Sequence, residues 1–121
     1  MDTGIEIKDT TNWHWIINHD CPEEKLEILK EEHEKDFHGC IGKYLFFSKD
    51  KEELKELGGV ILAENDLHHG KVSTSLRDGY TTYVLCVYDA GPNLLDEMKK
   101  YIAETVTYRY WKSDEDTMKG L

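Results

Sequence analysis

Between Lys71 and Asp89, polar and apolar residues alternate on either side of Asp78-Gly79, a dipeptide that favours a tight hairpin turn. With Asp78 and Gly79 as the turn residues, Arg77 pairs with Tyr80, Thr74 with Tyr83 and Val72 with Leu85. Successive side chains point to opposite faces of a strand, so Val72, Thr74, Leu76, Tyr83, Leu85 and Val87 form a core face. The other face receives Lys71, Ser73, Ser75, Thr82, Val84, Cys86 and Tyr88. It brings an ammonium, hydroxyls and a thiol together, and is the natural place to look for a site.

Helical spacing marks three further segments. Asp20 with Glu23 makes a capping-box-like start to a helix over 22–35, with Leu26 and Leu29 inward, which His38-Gly39 ends. Asp50 with Glu53 repeats the pattern before Leu54, Leu57 and Ile61. Gly58-Gly59 interrupts that stripe at about 1 kcal/mol per glycine relative to alanine, yet the stripe continues, so the helix extends to Glu64. Leu94, Leu95, Met98, Tyr101 and Ile102 outline a third helix, with Lys99 and Lys100 placed to suit its dipole. Pro22 and Pro92 sit where helices begin, their favoured place. Strands are expected at Trp13–Ile17, Lys43–Phe47 and Thr105–Lys112. The order strand, helix, strand, helix, hairpin, helix, strand predicts an α+β fold: a mostly antiparallel or mixed sheet with about three helices packed on one side. No linker or low-complexity run divides residues 1–121, which read as one domain.

The charge narrows the partners. The chain carries 25 acidic against 15 basic residues, a formal net charge of −10, which disfavours nonspecific binding to nucleic acid or an anionic membrane. No apolar run approaches the roughly 20 residues of a membrane span, and the start of the sequence has no signal-peptide pattern, so a cytoplasmic location is expected. The cysteines, Cys21, Cys40 and Cys86, are odd in number and lack CxxC spacing, which predicts reduced thiols.

Trp13-His-Trp15, Gly42-Lys-Tyr-Leu-Phe-Phe47, Lys71-Val-Ser-Thr74, Val84-Leu-Cys-Val-Tyr-Asp89 and Trp111-Lys-Ser-Asp-Glu-Asp-Thr-Met-Lys-Gly120 occur in an order that covers most of the chain. Together they resemble the domain-of-unknown-function family that includes the basophilic leukaemia expressed protein, similar prokaryotic sequences of which carry the label phosphothreonine lyase domain. The resemblance implies a fold like that of the cap-binding translation initiation factor, a curved antiparallel sheet backed by helices. It does not imply cap binding, because Trp13 and Trp15, two apart on one strand, point to the same face without forming a sandwich for a base. Phosphothreonine lyases use a Lys-x-His strand motif, which falls here at Lys71-Val-Ser73 without the histidine that would supply the general acid.

Lys71, Ser73 and Ser75 are suited to donate to a phosphate or carboxylate, with Arg77 and Arg109 nearby and Lys112 at the end of the last strand as further cationic candidates. The alternative is the ordinary solvated face of a half-exposed strand. His68-His69 precedes the Lys71 strand and is the nearest source of a titrating acid. His14-x4-His19-x-Cys21 recurs as His33-x4-His38-x-Cys40, a spacing that matches no established zinc motif, so no metal or other cofactor is expected. The leading reading is a domain that binds a phosphorylated or other anionic small ligand on the sheet face around Lys71, Ser73, Ser75, Arg109 and Lys112. Two alternatives remain: a lyase-like elimination with Lys71 as base and His69 as substitute acid, and a protein-interaction module that uses the acidic first helix.

Overall fold

The computed structural model describes residues 4–24, 27, 42–76, 81–89 and 94–113, with side chains as far as Tyr108. Strands β1 (Ile5–Asp9), β2 (Trp13–Asn18) and β3 (Gly42–Ser48) lead into helix α1 (Lys51–Glu64), then β4 (His69–Ser73), β5 (Tyr83–Asp89), helix α2 (Leu95–Lys99) and β6 (Thr107–Ser113). They form a six-stranded sheet in the order β1-β2-β4-β5-β3-β6, and every described strand pair is antiparallel. The fold is therefore α+β. Of the expected first helix, the described residues Glu23, Glu24 and Glu27 are helical and exposed.

One face of the sheet carries the main core. Ile16, Val72, Leu85, Val87, Tyr44 and Phe46 alternate inward along β2, β4, β5 and β3, where they meet Leu54, Ile61 and Leu62 of α1 and Met98 of α2. α1 begins at Asp50, whose carboxylate accepts the Glu52 and Glu53 N–H groups. It runs through Gly58-Gly59 as expected, and the glycine has a packing reason. A Cβ at Gly58 would lie 2.5 Å from Ile16 Cδ1 and 3.1 Å from Leu85 Cδ1, so a side chain there would force these two buried methyl groups to shift. Buried Asn18 secures the far end of α1, donating from Nδ2 to the carbonyls of Leu62 and Leu67 at 3.2 and 3.0 Å.

Three expectations need correction. β1 was not foreseen; it pairs Ile5 with Asn18 through to Asp9 with His14 at the edge of the sheet. The third helix is one short turn rather than Leu94 to Ile102. After Lys99 the chain tightens, with the Lys100, Tyr101 and Ile102 N–H groups bonding three residues back, and Leu95 and Ile102 are exposed. In the hairpin, Val72 does pair with Leu85, but the described ladder covers only Gly70–Val72 against Leu85–Val87. Ser73 Oγ accepts the Val84 N–H, while Thr74 turns away to bond the carbonyls of Asn12 and Thr11. Thr74 therefore does not pair with Tyr83, and Leu76 is exposed rather than in the core. The Asp78-Gly79 turn and the Arg77–Tyr80 pair lie outside the described residues.

Candidate functional site

The face opposite α1 is built from the alternate residues of the same strands. Its centre is apolar: Leu45, Val84 and Cys86 are buried, with Trp13, Phe47 and Tyr88 packed against them. The expected polar cluster is thus replaced by an aromatic surface into which Lys71 is set. β4 lies between β2 and β5, with Lys71 opposite Trp15 on one side and Cys86 on the other. Trp13 lies opposite Ser73 on the same face. The Lys71 ammonium accordingly rests 3.9 Å from the centroid of Trp13, 5.2 Å from Trp15 and 5.7 Å from Tyr88. Such rings attract a cation through their quadrupoles.

His69 enters the same group. Its ring stacks on Tyr88 at 4.7 Å and 19°, and Trp15 lies 6.2 Å from it. His68 Nδ1 and His69 Nδ1 are 3.1 Å apart, a contact in which one nitrogen carries the proton and the other accepts it. Gly70 between His69 and Lys71 is required by the neighbouring strand, because a Cβ there would lie 2.6 Å from the Cys86 carbonyl oxygen. Lys43 on β3 lies opposite Tyr88, its Nζ 5.8 Å from that ring, and is only 9% exposed. The site therefore comprises two lysines and a histidine around the Tyr88 ring, with Trp13 and Trp15 beside Lys71.

The expected ligand-binding residues are only partly brought together. Lys71 and Ser73 share the face, but Ser73 is buried and its oxygen is occupied by the Val84 N–H. Ser75 is exposed beyond the end of β4 and so leaves the group. Arg109 and Lys112 belong to β6, separated from β4 by β5 and β3, a span of three strand spacings or roughly 14 Å. Lys112 pairs with Lys43, and Arg109 falls at a bulge where β6 shifts register against Leu45 and Phe46. Alternation sets Tyr88 on this face, but Lys43, Trp13 and Trp15, which surround it and Lys71, are not among the expected ligand-binding residues. The signal for Lys43 was present in the alternation of Gly42–Ser48, which sets it on the face of Leu45 and Phe47.

The histidines of the first His/Cys triplet diverge. His14 Nδ1 meets Asp9 Oδ1 at 2.6 Å, His19 Nε2 meets Glu6 Oε1 at 2.6 Å, and Cys21 Sγ lies near the carbonyls of Pro22 and Asp66. These hydrogen bonds hold the Asp9 and Glu6 carboxyls below the usual carboxylate range. No group of three or more metal-ligating side chains occurs among the described residues; the second triplet lies outside them. No helix among the described residues is long and apolar enough to cross a membrane. The chain matches no family model, no curated protein and no solved structure.

Proposed function

We propose that this protein is a ligand-binding domain of the family suggested by its sequence motifs, with a curved sheet like that of the cap-binding factor. Its ligand is a phosphorylated or otherwise anionic small molecule received on the aromatic sheet face. The observation that supports this reading is the Lys71 ammonium fixed above Trp13, Trp15 and Tyr88, with Lys43 and His69 on the same ring system. The two lysine ammonium groups attract the anionic part of a ligand, and the surrounding rings offer it apolar contact at little conformational cost.

The test is a thermal-shift and NMR titration series with inorganic phosphate, mononucleotides and phosphopeptides. It compares wild type with Lys71→Met, which keeps the apolar stem over the rings but removes the charge. A ligand at about a hundred times its Kd should stabilise wild type by about 2.7 kcal/mol, and Lys71→Met should lose most of that gain. If no anion stabilises wild type more than the variant, the reading fails and the interaction-module alternative gains.

One observation favours an elimination enzyme as the second reading. His69 and Lys71 lie two residues apart on one strand face and both contact the Tyr88 ring. In a phosphothreonine elimination, Lys71 would take the α-proton and His69 would protonate the departing phosphate. Release of inorganic phosphate from a phosphothreonine peptide, with an unsaturated residue left behind, would identify this activity. Binding of the same peptide without its cleavage would leave the binding reading in place.

A further inference from the structure

We infer that the outer edge of β1 is a self-complementary interface through which two copies of this chain join their sheets. The hydrogen-bond pattern of the β1–β2 pair fixes which backbone groups face outward. His19 N–H donates to the Gly4 carbonyl and Thr10 N–H to the Trp13 carbonyl, so the hydrogen-bonded positions on β1 are the even-numbered ones. Glu6 and Lys8 therefore direct their backbone groups toward β2, and Ile5, Ile7 and Asp9 direct theirs away from it. β1 is the terminal strand of the described sheet on that side.

The sequence of this edge, Ile5-Glu6-Ile7-Lys8-Asp9, is matched to its own antiparallel copy. A two-fold axis through Ile7, perpendicular to the sheet, pairs Ile7 with Ile7 of the second copy, Ile5 with Asp9 and Glu6 with Lys8. The outward groups of Ile5, Ile7 and Asp9 are then the ones in register to exchange hydrogen bonds. Each Glu6 then faces the Lys8 of the other copy, so the pair occurs twice, once on either side of the axis. Ile7, which is 43% exposed at this edge, would be covered by its own symmetry mate. An edge lysine normally discourages strand addition, but here the facing glutamate turns the same residue into a pairing determinant. The contact is a single short strand, below the size of a permanent interface, so association should depend on concentration.

Three measurements test the inference. Sedimentation equilibrium of wild type, followed into the millimolar range, should show a monomer–dimer equilibrium. Amide exchange should slow with concentration at Ile5, Ile7 and Asp9 and stay constant at Glu6 and Lys8. Glu6→Lys and Lys8→Glu each place like charges opposite one another and should weaken self-association about tenfold, whereas an equimolar mixture of the two variants restores opposite charges and should re-form the dimer. A wild type that stays monomeric throughout overturns the inference and leaves the edge to a strand of some other chain. So does a dimer whose Ile5, Ile7 and Asp9 amides remain unprotected, or a mixture that associates no better than either variant alone.

Discussion

Ser48, Asp50, Glu53 and Thr105 show how one helix start is joined to the rest of the chain. The Asp50-x-x-Glu53 spacing marks the start of α1, and Asp50 caps it as the pattern implies. Glu53 does not return the bond to the Asp50 N–H. Ser48 Oγ accepts that N–H at 3.0 Å and donates at 2.9 Å to Glu53, whose other oxygen accepts from Thr105 Oγ1 at 2.7 Å. The carboxylate thus links the end of β3, the start of α1 and the approach to β6. Asp50→Ala should cost about 1 kcal/mol and Glu53→Ala about 1 to 2 kcal/mol in urea unfolding. Exposed Glu56→Ala on the same helix should stay within about 0.5 kcal/mol. If Glu53→Ala is as mild as Glu56→Ala, the link contributes nothing to stability. Spacing revealed that Glu53 had a role but not which groups it would reach, because Thr105 comes close only through the tertiary fold. The site shows the same limit. Alternation sets Lys71 on the face opposite the main core, yet its contact with Trp13 and Trp15 depends on β2 lying beside β4, a neighbour relation between strands far apart in sequence.

At the scale of elements, Gly58 and Gly59 separate helix propensity from packing. Both occupy the interior of α1, where alanine would favour the helix by about 1 kcal/mol. A methyl group at Gly59 would meet Ile5 Cγ2 at an ordinary 3.4 Å, so Gly59→Ala should be neutral or stabilising by up to about 1 kcal/mol. At Gly58 the methyl group would collide with Ile16 and Leu85, both fully buried, and the overpacking penalty of about 1 to 3 kcal/mol outweighs the propensity gain. Gly58→Ala should therefore lower the urea midpoint while Gly59→Ala leaves it unchanged or raises it; equal effects would refute the packing argument. The periodic stripe carried the helix across both glycines correctly but could not distinguish them. Elsewhere, periodicity worked where one face was buried and failed at the margins. Val72 and Leu85 kept their register because the core fixes it, whereas Thr74 left the strand to bond Asn12 and Thr11. β1 escaped notice because five residues of mixed character at a sheet edge give too short an alternation.

Tyrosine hydroxyls join segments of the fold that are distant in sequence, and this shapes the behaviour of the whole molecule in alkali. Tyr44 is fully buried on β3; its hydroxyl donates to Asp89 Oδ2 at 2.8 Å and accepts the Leu94 N–H at 2.9 Å, joining β3, the end of β5 and the entry to α2. Burial and the Asp89 carboxylate push this phenol well above its ordinary range. Tyr101 donates to Glu64 and accepts from Asn65 at the end of α1, and burial with Glu64 pushes it up to about 12. Burial also raises Tyr108. Each group keeps its proton in the folded state after the unfolded chain has released it near pH 10, so the unfolded state binds fewer protons and stability falls as pH rises. The stabilisation is complete below about pH 10, and the part due to Tyr101 continues to fade until both states are ionised, at about pH 12. Tyr44→Phe removes the most strongly raised of these phenols. It should cost about 1 to 2 kcal/mol at neutral pH, because Leu94 loses its acceptor and Asp89 a donor. Urea unfolding at about pH 9 and about pH 11 should then show a shallower alkaline loss in Tyr44→Phe than in wild type, since the lysines that titrate over the same range are common to both. An equally steep loss in the two proteins would mean that the Tyr44 hydroxyl ionises as freely in the fold as in the unfolded chain, and that its bonds to Asp89 and Leu94 do not hold the sheet to α2.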